Sequence, residues 1–381
     1  MTEAPHSANA NPPGGRLAGL TLEQKQERVR QILGEHDLYG LAVSGAWLDK
    51  VFSAYAQPHR HFHTIDHLLD ICEAIRQRAW TGKRDASDLL LAALFHDAVW
   101  FPQRNDNEQR SVEAFEYVMA QCGNPVPPKS MTRIKSIIQA THDLTNLSEL
   151  ERYFIDFDCQ IILHGNQVDL LAYEYQIFRE FQFLNMAAYR KGRADFFSRF
   201  GRRFPQCKDT MRFLVEYLER RRPRIGIYAG TFNPFHIGHL SILEKAERMF
   251  DKVIVAVGIN PQKRHIEKDL QLSRTLPFHE VVHFDTLMVD LLEREAALSD
   301  VTLVRGLRNG YDLDYEMNQL RFMQEMWPDT QSIYIPCDKN LEHISSSALK
   351  GLATFDVRGR DSIYFPHKYD YYWKSVPELF D

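Results

Sequence analysis

Apolar positions recur along the first half of the chain at three- and four-residue intervals, as in "HTIDHLLDICEAIRQ", "ASDLLLAALFHDAVW" and "MTRIKSIIQATH". That period puts one apolar stripe on each of a series of helices, and no convincing alternating run interrupts it. Residues 21–222 therefore predict an all-α helical bundle. Beyond "ERRRPR" the texture changes to short β-branched runs, "RIGIYAG", "DKVIVAVG", "DVTLVRG" and "TQSIYIP", separated by helical stretches. Strands alternating with helices predict a Rossmann-like, doubly wound parallel sheet over residues 223–381, with ligands beyond the carboxyl ends of its strands. The break is placed at Arg222 and Pro223, where a charge run meets a proline. No repeat of about 20 to 50 residues is visible.

Composition fits two such units. A chain of 381 residues exceeds one ordinary core, and 44% apolar with 25% charged residues is the balance of a soluble globular protein. No apolar run approaches the roughly 20 residues that span a bilayer. The formal charge of -5 argues against a nucleic-acid surface, which needs a basic excess, and leaves "RRFPQCK" and "LERRRPR" as solvated helix faces. Five scattered cysteines without a C-x-x-C spacing suit the reducing cytoplasm. Residues 1–20, rich in Pro, Gly, Ala and Asn, predict a disordered tail. Seven aromatic residues between Ile363 and Phe380 predict packing, against the core, another domain or another copy.

The first candidate site is "AGTFNPFHIGH". A strand that runs through a glycine turn into a helix offers a phosphate backbone N–H groups and the positive end of a helix. Gly230 permits the turn, Thr231 adds a hydroxyl, and Gly238 leaves room for a ligand. His236 and His239 can donate hydrogen bonds to charge that develops on phosphoryl oxygens. A zinc site would need cysteines or carboxylates that the stretch does not supply. A merely structural turn stays open.

"GTFNPFHIGH" resembles the G-[ST]-F-[DN]-P-x-x-x-G-H signature of the nucleotidylyltransferase superfamily. "VRGLRNGYDLDYEMNQLRFMQE", "ISSSALKGL" and "NPQKR" resemble, in order and spacing, blocks of bacterial phosphopantetheine adenylyltransferase, and the likeness covers roughly 224–352. It implies transfer of the adenylyl group of ATP to 4′-phosphopantetheine, with magnesium arriving on ATP, in a homo-oligomer. His239 would stabilise the transition state, Thr231 and Lys263 would hold the acceptor phosphate, and Arg305 would stand near it. Arg308 and Glu316 would serve the nucleotide side with Phe232, and Ser345, Ser346 and Ser347 the β- and γ-phosphates. His236 resembles instead the nicotinate and nicotinamide mononucleotide enzymes, and "HIEKDLQLSRTLPFHEVV" replaces the usual Thr-Leu-Glu-Glu-Arg stretch. A pyridine mononucleotide is therefore the alternative acceptor.

The second candidate site is spread over "RHFHTIDH", "LFHDAVW", "ATHD" and "FIDFDCQIIL". His63 on one helix, His96 and Asp97 on another and an aspartate on a third would supply N and O ligands to a divalent metal with open positions. Burying His96 and Asp97 in an apolar helix without a partner would cost several kcal/mol. The order His, His-Asp, Asp resembles the HD superfamily of metal-dependent phosphohydrolases. The resemblance implies Asp158 rather than Asp156 as the last ligand, with His67, Glu108 and His142 near a second metal or the substrate phosphate. Mn, Fe, Zn, Ni and Co are not distinguished. The alternative is a non-catalytic module that binds a metal and a nucleotide and regulates its neighbour.

Overall fold

The computed structural model of the protein describes residues 19–82, 84–142, 145, 147–259, 270–308, 310–352, 354–355 and 359–381. The predicted tail, save its last two residues, and Lys263 lie outside the described residues. Among the described residues no helix is long and apolar enough to cross a membrane.

Two compact units interleave along the chain. One comprises the chain up to Glu180 with Phe197–Leu214 and Lys374–Asp381; the other comprises Phe181–Phe196 and Val215–Trp373. The helical texture nevertheless gives way to strands where the sequence changes, since the first strand opens at Arg224.

The helical unit begins with Leu22–Gly34, which Thr21 caps by accepting from the Gln24 N–H while Gln24 accepts from the Thr21 N–H. Helix Ile65–Gln77 buries Leu68, Leu69, Ile71, Cys72 and Ile75 on one face. Helix Asp85–Phe95 is buried from Ala86 to Phe95, so it forms the centre of this core. Its last turn delivers His96 and Asp97. The short helix Val376–Phe380 packs against helices Ala46–Tyr55 and Asn107–Gln121, with Phe380 fully buried. Arg110 donates to the Lys374 carbonyl at 3.0 Å, and the Tyr117 hydroxyl meets the Asp381 carboxylate. Truncating Phe380 to alanine is expected to destabilise this unit by about 3–5 kcal/mol. The check is an earlier helical transition on heating; an unshifted one would show that the ring contributes no packing.

The second unit is a five-stranded parallel sheet of β1 (Arg224–Gly230), β2 (Lys252–Gly258), β3 (Val281–Phe284), β4 (Asp300–Leu307) and β5 (Ser332–Pro336). The strand order is β3-β2-β1-β4-β5, and central β1 sets Ile227 opposite Ile254 and Leu303. β1 and β2 are buried along almost their whole length, as expected where both faces are covered. The order reverses between β1 and β4, so the crevice for ligands lies beyond Gly230 and Leu307. Phe181–Phe196 joins this unit because the buried Lys252 ammonium is held by the Gln182 and Leu184 carbonyls and, at 3.0 Å, by Glu280. Of the aromatic segment, Tyr369 and Tyr372 each stand 5.3 Å from the Phe278 ring, and the Trp373 indole donates to the Arg274 carbonyl.

Candidate active site and candidate metal centre

At the end of β1 the chain turns sharply, with Phe232 in the left-handed region at φ 45°. Its ring folds back under the strand end. A Cβ on Gly230 would lie 2.9 Å from that ring, so only glycine fits there. The turn leads into helix Ile237–Glu247, whose N-cap is His236. The His236 Nδ1 accepts from the Gly238 N–H at 3.1 Å, and the His239 Nδ1 accepts from the His236 N–H at 3.3 Å. The two rings stack with centroids 3.7 Å apart. A neutral imidazole that accepts at Nδ1 carries its proton at Nε2, so both rings keep an Nε2–H to donate. Burial, then Arg308, pushes His236 down to about 4; burial, then His236 and Arg308, pushes His239 down to about 3. Both are therefore uncharged donors at neutral pH.

Around them lies a cavity of about 340 Å³. Thr231, Phe232, His236, Gly238, His239, Arg305, Arg308, Glu316, Ser345, Ser346 and Ser347, expected from three separate stretches, all line it. Arg305 donates from Nε and Nη2 to the Glu316 carboxylate at 2.7 and 2.5 Å and from Nη1 to the Ala229 carbonyl at 2.7 Å. Glu316 thus faces Arg305 rather than open space, which its assignment to the nucleotide side did not anticipate. Arg308 is bridged to Asp312 at 3.2 Å. Asp312 was not singled out, although its place four residues after Arg308 at the start of a helix is a signal for such a pair. Ser345 caps its helix by accepting from the Ala348 N–H, and Ser346 donates to the Pro234 carbonyl at 3.0 Å, tying this loop to the histidine turn.

In the helical unit His67, His96 and Asp158 bring one ligand atom each within 4.8 Å of one another. His67 Nε2 stands 3.0 Å from Asp158 Oδ1, and His96 Nε2 stands 3.0 Å from Asp97 Oδ2 and 3.4 Å from His67 Nε2. Asp97 Oδ2 lies 3.9 Å from His67 Nε2. The His96 Nδ1 donates to the Ala93 carbonyl at 2.9 Å, which leaves its Nε2 lone pair aimed at the group. Two imidazoles and two carboxylates converge here with little access to water, and a positive charge shared among them lowers the cost of holding both carboxylates. Without a metal that charge is a proton. Burial opposes charging His96, yet Asp97 and Asp158 raise it well above the ordinary imidazole range. Burial likewise works to raise Asp97, and His96 with His63 holds it well below the usual carboxylate range. Two N and two O donors with this geometry fit a divalent metal.

The expected residues fall in and around this set as follows. His67, expected near a second metal or the substrate phosphate, stands in the set, and His63, expected as a ligand, lies beside it with its Nδ1 bonded to Glu180 Oε2 at 2.6 Å. Asp158 reaches the cluster, while Asp156 faces His164 at 3.4 Å. Glu108 and His142 pair with each other at 3.4 Å. A cavity of about 280 Å³ opens beside His67 and Asp158, lined further by Lys25, Phe62, Asp70 and Tyr173. Burial, then Asp66 and Glu73, pushes the Asp70 carboxyl up to about 7.

Comparison with known proteins bears on the sheet-bearing unit. A family described as Cytidylyltransferase-like matches residues 227–352. A phosphopantetheine adenylyltransferase of Buchnera aphidicola is 30% identical over 41% of this chain and 98% of its own length. One of Agrobacterium fabrum is 38% identical over 34% of this chain and 84% of its own length. A solved structure described as a nicotinate-nucleotide adenylyltransferase, from Vibrio parahaemolyticus, aligns with 41% of this chain and 90% of its own at 20% identity, with a TM-score of 0.28 that carries no weight.

Proposed function

The chain belongs to the phosphopantetheine adenylyltransferase family over about two-fifths of its length, and from that premise we propose that it joins the adenylyl group of ATP to 4′-phosphopantetheine, releasing pyrophosphate. The observation that carries this reading is the stacked, neutral histidine pair at the mouth of β1, with both Nε2–H groups left to donate. An oxygen of the acceptor phosphate attacks the α-phosphorus in line. The new P–O bond forms as the bond from the α-phosphorus to the bridging oxygen breaks, and pyrophosphate leaves with that electron pair. His239 donates to the α-phosphoryl oxygens as charge gathers on them, and the N-terminal N–H groups of helix Ile237–Glu247 add to the same field. Arg305, held in place by Glu316, presents its remaining N–H groups to phosphate, and Thr231 hydrogen-bonds to it. Magnesium arriving with ATP neutralises phosphate charge. No covalent intermediate is required, because alignment and charge neutralisation suffice.

The test is pyrophosphate release from ATP with a panel of phosphorylated acceptors. Turnover is expected with 4′-phosphopantetheine and not with nicotinamide or nicotinate mononucleotide. The opposite pattern would reassign the acceptor to the class that His236 resembles.

The His67, His96, Asp97 and Asp158 set supports a second, separate activity for the helical unit, metal-dependent hydrolysis of a phosphoester. These four residues would hold the metal, which supplies Lewis-acid polarisation of a phosphoryl oxygen. His67 and Asp158 also line the adjoining cavity, so a substrate there would reach the set directly. A cytoplasmic setting accords with the five free cysteines.

A further inference from the structure

We infer that Glu180 and His63 form a water-orienting pair beside the metal-binding set, with His63 holding the attacking water and Glu180 acting as its positioning residue; this rests on the phosphohydrolase reading of the helical unit. Glu180 is wholly buried. Its Oε1 accepts the consecutive backbone N–H groups of His61, Phe62 and His63 at 2.8, 2.7 and 2.9 Å. Its Oε2 accepts from the Trp100 indole at 3.0 Å and from His63 Nδ1 at 2.6 Å. Five donors on one buried carboxylate keep it ionised and fix it firmly in place.

The consequence falls on the ring. With its Nδ1 proton committed to Glu180, His63 has only Nε2 left to offer, and beside a bound divalent cation the ring that is uncharged carries a lone pair there. Stacking on Trp100, centroids 3.8 Å apart, holds the plane of the ring, and the bond to Glu180 sets which nitrogen faces it. Among the described residues no protein group meets the His63 Nε2, and 13% of the side chain is accessible. The ring stands edge-on to His67 with centroids 5.9 Å apart, close enough to face a water directed at the set. Nε2 of His67 and of His96 is already turned to carboxylates. His63 is thus the imidazole of the three left to accept from water.

The full-length protein loaded with Mn²⁺ decides the matter, with p-nitrophenyl phosphate as probe. In His63→Leu the acceptor is gone. In His63→Gln an acceptor oxygen remains. In Glu180→Gln the amide keeps an oxygen for the three backbone N–H groups but turns its NH2 toward His63 and the Trp100 indole N–H, forcing the His63 proton to Nε2 and unpairing the indole. Metal content should stay at the wild-type level in all three. The turnover number should fall about a hundredfold or more in His63→Leu and Glu180→Gln with KM little changed, the scale of loss for misplaced reactants. His63→Gln should recover part of it. Nitrogen-15 NMR of the histidines should show an Nδ1–H His63 in the wild type and an Nε2–H one in Glu180→Gln. Loss of metal from His63→Leu would make His63 a ligand and overturn the inference alone, as would unchanged turnover. A metal-loaded wild type that hydrolyses no phosphoester would instead overturn the hydrolase reading and the water-orienting role with it.

Discussion

Adenylyl transfer by the His239→Ala variant is expected to run at least about a hundredfold below the wild-type turnover number, the scale of loss when one donor to a developing oxyanion is removed. Nucleotide binding and the fold should persist, because the missing bond is realised mainly as charge gathers in the transition state. The local structure supports that separation. His239 sits in the first turn of helix Ile237–Glu247; its loss removes the bond from the His236 N–H to its Nδ1, while the His236 side-chain cap on Gly238 and the buried Ile242, Leu243 and Ala246 stay in place. Steady-state kinetics of pyrophosphate release, with ATP binding measured separately, make the check; wild-type-like turnover would remove His239 from the mechanism. The same imidazole predicts a pH dependence. A group held down at about 3 is uncharged throughout the neutral range. The rate should therefore show no step near the ordinary histidine value of about 6.5 from this residue. A step there that disappears in His239→Ala would mean that the ring works as a charged acid instead.

Replacing His96 and Asp97 together with alanine is expected to leave the helical unit with roughly a tenth or less of the wild-type metal, since half of the proposed donor set goes at once. Any phosphohydrolase activity should go with it. The variant should keep full adenylyl transfer, because every residue that lines the transfer cavity lies between Tyr228 and Ser347. Full occupancy in the double variant would refute the ligand assignment. Lost metal, combined with a wild type that hydrolyses no phosphoester, would point to a regulatory module rather than a second enzyme.

Why one site could be read from sequence more fully than the other follows from how each is built. The histidine turn is contiguous, and a parallel sheet must bring the carboxyl ends of β1, β4 and β5 to the same edge, so motifs after those strands converge by topology. What the topology could not supply was pairing within the cavity, such as Glu316 with Arg305, which depends on where helix Gly310–Met326 lies over β4. In the helical unit, apolar period located the helices but not how His63 and His67 are engaged. These lie four residues apart, one before the N-cap Thr64 and one on the helix it opens. A carboxylate 117 residues downstream engages His63 Nδ1, a partner that no local pattern announces. Burial of the aromatic segment was legible, because Tyr369 and Phe380 have no other stable place. The division of that segment between two cores was not, because an apolar residue announces burial without naming its partner.

That division gives the chain an unusual order of assembly. A ribosome ordinarily completes the earlier domain first. Here Lys374–Asp381, which fills the helical core through Phe380, follows the whole sheet. At about 5–20 residues per second, the roughly 190 residues between Glu180 and Lys374 take about 10–40 s to synthesise. During that interval the first unit made waits with an open apolar seat between helices Ala46–Tyr55 and Asn107–Gln121, while the second can already close its sheet. The unit that comes first in sequence is then the last to finish, and a ribosome that stalls within the sheet strands an exposed core upstream for chaperones or proteases to find.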